Sequence, residues 1–226
     1  MNAYADDTLY EYSDLHGQER WLHRSIRAYQ YINLAAILTL LVITCFVWLG
    51  NQTTANYFRY LPYLRHADTT YQLLAAFTAL TFITSAFMTL AWCFCANENL
   101  HALSPDDSKI RYTPGRTVLW WFIPLLNLWM PYNIMAELWS GSLALVHDPE
   151  YDNENLIFRW WLTFLAIGVS SKIAESTANS ATSTCFLFIM HTCALVSAQT
   201  LIKLTRRINR TQAATRQQQQ NTALAP

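Results

Sequence analysis

The sequence predicts an all-α fold: a polytopic membrane helical bundle with four transmembrane helices plus a proline-broken re-entrant or interfacial helix pair. Three observations predict it. Only 13% of the 226 residues are charged while 53% are hydrophobic, against roughly 25% charged in a soluble domain. The charges fall in clusters, with long apolar runs between them. One further apolar run, rich in tryptophan, is interrupted by Pro124 and Pro131.

Residues 1–30 read as a polar amino-terminal segment. Asp6, Asp7, Glu11, Asp14 and Glu19 give it the wrong charge for the start of a cleavable signal, so none is expected. Within it, Trp21, Leu22, Ile26 and Tyr29 recur at helical spacing among Arg20, Arg24 and Arg27, which predicts a short interfacial helix over 19–29.

The membrane bundle is expected over 31–204. Residues 31–50 carry no charge and are long enough to cross a hydrocarbon core of about 30 Å. Residues 51–70, with Arg59, Arg65 and Asp68, read as a polar loop. The second span, 73–95, holds Ala75, Ala79, Ser85 and Ala86, which are small enough to admit a neighbouring helix. A polar stretch follows, with a turn signal at Ser104-Pro105-Asp106-Asp107 and a breaker at Pro114-Gly115. Beyond an acidic loop at 146–155, the third span is expected at 156–173. Arg159, Trp160 and Trp161 stand at its start as interfacial anchors. The fourth span is 184–204. Residues 205–226, with a run of glutamines at 217–220, read as a disordered basic and Gln-rich cytoplasmic tail.

The broken segment, 117–145, is apolar enough to enter lipid. A proline removes a backbone donor and clashes with the carbonyl four residues back. Pro124 and Pro131 therefore predict a helix, a break and a second helix, with Pro131 in the first turn of the second piece. Irregular backbone at membrane depth is tolerated only under protein or in a wet cavity.

Positive charge sets the orientation. If the broken segment enters and leaves on one side, four spans place twelve of the fifteen basic residues inside. These are Arg20, Arg24, Arg27, Lys109, Arg111, Arg116, Arg159 and the five of the tail. Arg59, Arg65 and Lys172 remain outside. A fifth crossing would invert six of the inside residues. The expected location is therefore the cell inner (plasma) membrane, multi-pass, with both termini cytoplasmic. The expected partners are the lipid bilayer and either a second copy or another membrane protein. Formal net charge is zero and no nucleic acid is expected.

The five cysteines all lie inside apolar runs and read as small buried hydrophobes. Of six histidines only His191 lies deep in a span, so an axial pair for haem is lacking. No metal or other cofactor is expected, and no catalytic residue is assigned. The ligand-pocket candidates are Asn127, Asn133, Glu137 and His191. Asn127 lies between the prolines and can hydrogen-bond backbone groups freed by the break, or line a polar pocket. Asn133 and Glu137 share one helix face. An ionisable group near lipid should face protein or water, which makes Glu137 the leading candidate. His191 reads as a helix–helix hydrogen bond, with a proton relay as the alternative. Trp120, Trp121, Trp129, Trp139, Trp160 and Trp161 suit an aromatic belt or a cation cage.

The stretch from Trp92 to Trp161 resembles a known family. Its features are Asn97-Glu98-Asn99-Leu100, Tyr112-Thr113-Pro114-Gly115, Trp120-Trp121-Phe122-Ile123-Pro124, Asn127-Leu128, Pro131-Tyr132, Glu137-Leu138-Trp139, Asp148-Pro149-Glu150 and Arg159-Trp160-Trp161. Together they resemble the bacterial membrane family called domain of unknown function 4328, over roughly residues 70–205. Trp120, Trp121, Pro124, Asn127, Pro131 and Trp139 are the motif residues. Arg116 departs from the resemblance, which implies an apolar or aromatic residue there. The resemblance implies a multi-span bundle and supplies no activity.

Three readings of function follow. A non-enzymatic accessory, scaffold or sensor bundle predicts a packed interior without a substrate-sized cavity. A small transporter or channel subunit predicts a polar pocket lined by Asn127 and Glu137, with His191. A membrane enzyme acting on a lipid or envelope substrate needs two convergent acid/base groups.

Overall fold

The computed structural model describes residues 10–104, 110–146 and 155–224. The turn signal at 105–107 and most of the acidic loop lie outside them. Every regular element among the described residues is helical. The order is α1 (His16–Gly50), α2 (Thr54–Leu103), α3 (Pro114–Leu119), two 3₁₀ turns (Trp120–Phe122 and Leu126–Leu128), α4 (Met130–Ala144), α5 (Asn155–Ser176) and α6 (Ser180–Leu224).

Four helices, α1, α2, α5 and α6, are long and apolar enough to cross a membrane. Three are longer than a crossing needs. At 1.5 Å per residue the 35, 50 and 45 residues of α1, α2 and α6 extend about 52, 75 and 67 Å.

The extra length lies where polar loops and a tail were expected. The segment 19–29 is no separate interfacial helix, because α1 carries it into the apolar run without a break. No glycine or proline falls between Gln18 and Leu49 to stop it. The loop expected at 51–70 shrinks to residues 51–53. Its remainder forms the first turns of α2, whose inner face carries Tyr60, Leu64, Ala67 and Tyr71 at spacings of three and four. Phe46 of α1 lies 5.7 and 5.6 Å from the rings of Tyr60 and Tyr63. Arg59, Arg65, His66 and Asp68 fall on the exposed side.

The tail expected to be disordered is the end of α6. It has no glycine, and no proline before Pro226, and its inner face, Thr205, Ile208, Asn209, Gln212 and Thr215, is buried. That face has the helical period but polar side chains, so hydropathy does not register it.

Clustering of contacts divides the chain into two units. The first unit comprises the residues up to His23, Phe87–Trp161 and those from Thr200 onward. The second comprises Arg24–Ala86 and Leu162–Gln199. The surface of the second unit is apolar, with Leu38, Leu41, Leu73, Phe77, Leu80, Ile83 and Val169 all exposed. Exposure on that scale is unusual for a protein surrounded by water and natural against lipid.

The first unit is held by a polar core. Trp92 Nε1 donates to Asn209 Oδ1 at 2.8 Å, and Asn209 Nδ2 donates to Glu19 Oε2 at 3.0 Å. Gln212 Nε2 donates to the Ala96 carbonyl at 2.9 Å and to Ser142 Oγ at 3.0 Å. Asn99 pairs with Ser13 in both directions at 2.8 Å. Leu22, Leu100, Leu138, Leu143 and Ile208 fill the space between these bonds.

Deleting residues 206–226 removes the buried Ile208 together with the partners of Trp92 and Ala96. Thermal unfolding of the detergent-solubilised chain is expected to show a loss of at least about 3 kcal/mol. A disordered tail would leave the midpoint unchanged.

Candidate functional site

The broken segment lies wholly within the first unit. Its geometry follows from its prolines. Thr113 is extended (φ −75°, ψ 155°) and Pro114 opens α3, where a missing N–H has no cost. Ile123, just before Pro124, is also extended (φ −94°, ψ 111°), as the ring of a following proline requires. The two 3₁₀ turns flank this kink. Pro131 stands in the first turn of α4, as the sequence predicts.

The side chain that closes the segment is Glu137 of α4. Its Oε1 accepts the Tyr112 N–H at 3.0 Å and its Oε2 accepts the Arg111 N–H at 3.1 Å. Bonds from N–H groups to a carboxylate are stronger than neutral ones. They join the chain just before α3 to the middle of α4, so residues 113–136 leave and return at one place. His101 Nε2 and the Tyr112 carbonyl, 3.0 Å apart, fix the same strand of backbone from the other side.

Asn127 does not repair the break. Its backbone N–H donates to the Ile123 carbonyl at 2.8 Å, but its Oδ1 is buried without a partner among the described residues. The carbonyl freed at Leu128 is instead satisfied by the Trp161 indole at 3.1 Å. Trp161 belongs to a cluster with Trp121 and Trp160, at centroid distances of 5.6 to 6.4 Å. The sequence marks Trp161 as an interfacial anchor but gives no sign that it bonds the break. The cluster is packed ring on ring and forms no open cage.

A groove of about 1280 Å³ lies beside the closure. Its floor is apolar, with Leu100 and Leu103 of α2, Ile110, and Ala144 of α4. Its walls carry Asn133, Glu137 and Ser140 of α4 and Thr215, Gln218, Gln219 and Thr222 of α6. Gln219 Nε2 donates to the Leu103 carbonyl at 3.2 Å and ties the α6 wall to α2. Close approach of α4 to α2 requires Gly141, where a Cβ would meet Leu100 Cδ2 at 2.9 Å. Among the described residues the lining holds one carboxylate, one guanidinium (Arg111) and neither histidine nor cysteine. Among the described residues no three His, Cys, Asp or Glu side chains converge as a metal site would need. The groove is equipped with amide and hydroxyl groups over an apolar floor, which is binding chemistry.

The structure thus brings Asn133 and Glu137 to one cavity, and neither Asn127 nor His191 lines it. His191 is buried in the second unit. Asn33 Nδ2 donates to the Tyr29 carbonyl at 2.8 Å, which turns Asn33 Oδ1 toward His191. His191 Nδ1–H donates to it at 2.7 Å. The other ring nitrogen then accepts the Tyr71 hydroxyl at 3.1 Å. Both nitrogens are used in joining α6 to α1 and α2. The α6 face at Thr215, Gln219 and Thr222 is not among the candidates that the sequence offers. Its signal was the spacing of Thr215, Gln219 and Thr222 within a run taken for low complexity.

Replacing Glu137 with Gln leaves one acceptor for two N–H donors. Stability is expected to fall by about 1–2 kcal/mol, read as a lower thermal midpoint, with faster hydrogen exchange at Arg111 and Tyr112. In a double-mutant cycle of Asn33→Ala and His191→Ala, a coupling of about 1 kcal/mol is expected, near the upper part of the range for bonds between membrane helices. A coupling near zero would mean that this bond does not form.

Neither curated protein sequences nor solved structures contain a match to this chain. The profile of one family, Domain of unknown function (DUF4328), matches residues 62–210, well over half of the 226 residues. That span holds α4, its closing bonds and most of α2 and α6, and the chain belongs to the DUF4328 family.

Proposed function

We propose that this chain is a non-enzymatic accessory or sensor protein of the bacterial inner membrane. It crosses the membrane four times, keeps both termini in the cytoplasm, and receives a ligand in the groove of its first unit. The observation that carries this reading is the groove itself. Its whole lining belongs to the unit with the polar core, and its one carboxylate already serves two backbone N–H groups. The accessory, scaffold or sensor reading carries the expectation of a packed interior, and the groove of about 1280 Å³ departs from it. Amide and hydroxyl groups over an apolar floor suit holding a ligand, so the sensor is the role of the three that the groove leaves standing.

The closure at Glu137 supports four crossings, since the broken segment begins and ends at one place. The twelve-to-three division of basic residues supports the cytoplasmic termini. The transporter reading asks for Asn127 and His191 in the same pocket as Glu137, and both lie off it. The enzyme reading asks for a second acid/base group beside Glu137, and among the described residues the lining adds only Arg111 and Tyr112, whose hydroxyl donates to the Met130 sulfur.

Ala144 is exposed at the end of α4 and lines the groove floor. Ala144→Trp is expected to occupy the groove while changing stability by no more than about 0.5 kcal/mol, as is usual at the surface. A strain carrying it should then show the phenotype of a strain lacking the chain. Wild-type behaviour from a stably folded Ala144→Trp protein would remove the groove from the function.

A further inference from the structure

The break between α3 and α4 carries an apolar stripe with a three-residue period. Leu119, Phe122, Leu125 and Leu128 are 55, 65, 72 and 54% exposed. Their spacing matches a 3₁₀ helix, in which residues three apart eclipse one another. Residues 120–122 and 126–128 are in fact 3₁₀. The extended Ile123 interrupts the repeat between the two turns; the four side chains are nonetheless all exposed and make up the outer face of the break, while Trp121 packs onto Trp160 and Trp161. Arg116 is exposed three residues ahead of Leu119 and continues the same track. No further charge occurs until Glu137.

We propose that this face lies in the headgroup–acyl boundary of the bilayer, with the four side chains in the acyl region and Arg116 at the phosphates. Two observations select lipid as the occupant. The break is tied by the Trp161–Leu128 bond to the first turns of α5, where the charge-free run of that helix begins after Arg159. The Leu128 end of the stripe is therefore held to the first turns of α5, which carry the exposed Phe158. The sequence of one cation followed by large apolar residues and the exposed Trp129 is also the pattern of a segment lying in the interface. This inference shares with the proposed function only residence in a bilayer, and the groove can fail its test without affecting it.

The test places the photoreactive p-benzoylphenylalanine singly at Leu119, Phe122, Leu125, Leu128 and Thr113 in the full-length chain. The protein is reconstituted into vesicles of phosphatidylethanolamine and phosphatidylglycerol and irradiated. Thr113 is exposed but lies before Arg116, on the water side. Lipid adducts, seen as a mass increase of the intact chain, are expected to be several-fold more abundant at the four stripe positions than at Thr113. Cross-linked dimers as the main product at the stripe would assign the face to a second copy. Adduct yields no higher than at Thr113 would place it in water. Either result overturns the proposal.

Discussion

One carboxylate decides the course of the chain between α2 and α4. Glu137 takes the N–H groups of Arg111 and Tyr112, two donors that no helix or strand would otherwise satisfy. The Tyr112 bond is partly buried and the Arg111 bond exposed, so the cost of leaving a backbone donor unpaired falls mainly on Tyr112, and Glu137 relieves it. Everything between them must then turn back. Pro124 supplies the turn by forcing Ile123 out of the helical region, and Pro131 restarts the helix. The groove exists because the strand 110–112 is pinned to α4 while α6 stands against α2.

The two units use opposite means of cohesion. In the first, polar side chains are buried and paired, as in the chain from Trp92 through Asn209 to Glu19. In the second, large apolar residues face outward and the buried polar contact of His191 with Asn33 and Tyr71 joins three helices. Small residues and hydrogen bonds bind helices where the solvent is as apolar as the side chains.

Much of this was legible from residue order. The charge-free runs located all four long helices, and the prolines located the break and the second start, because both signals are local and strong. Helix ends were not legible. Residues 51–70 and 205–226 read as loop and tail because they are polar, although no glycine interrupts either. Their inner faces show the period of a helix only when Tyr60, Leu64 and Tyr71, or Asn209 and Gln212, are read as core. The site was legible by half. Asn133 and Glu137 share a helix face by spacing alone, whereas the walls from α6 and from 110–112 are tertiary. Asn127 was misread because the bond that repairs the break comes from Trp161, thirty-three residues from Leu128.

The claim on which the account stands is that residues 113–136 start and finish on one side of the membrane. The most direct measurement is the sidedness of Thr113→Cys and Ser140→Cys, made separately and treated in intact cells with a membrane-impermeant maleimide, before and after permeabilisation. The parent chain with its five native cysteines gives the background. Both positions are predicted to label above that background only after permeabilisation. Labelling of one position in intact cells and of the other only in permeabilised cells would put the two ends on opposite faces and contradict the closure by Glu137.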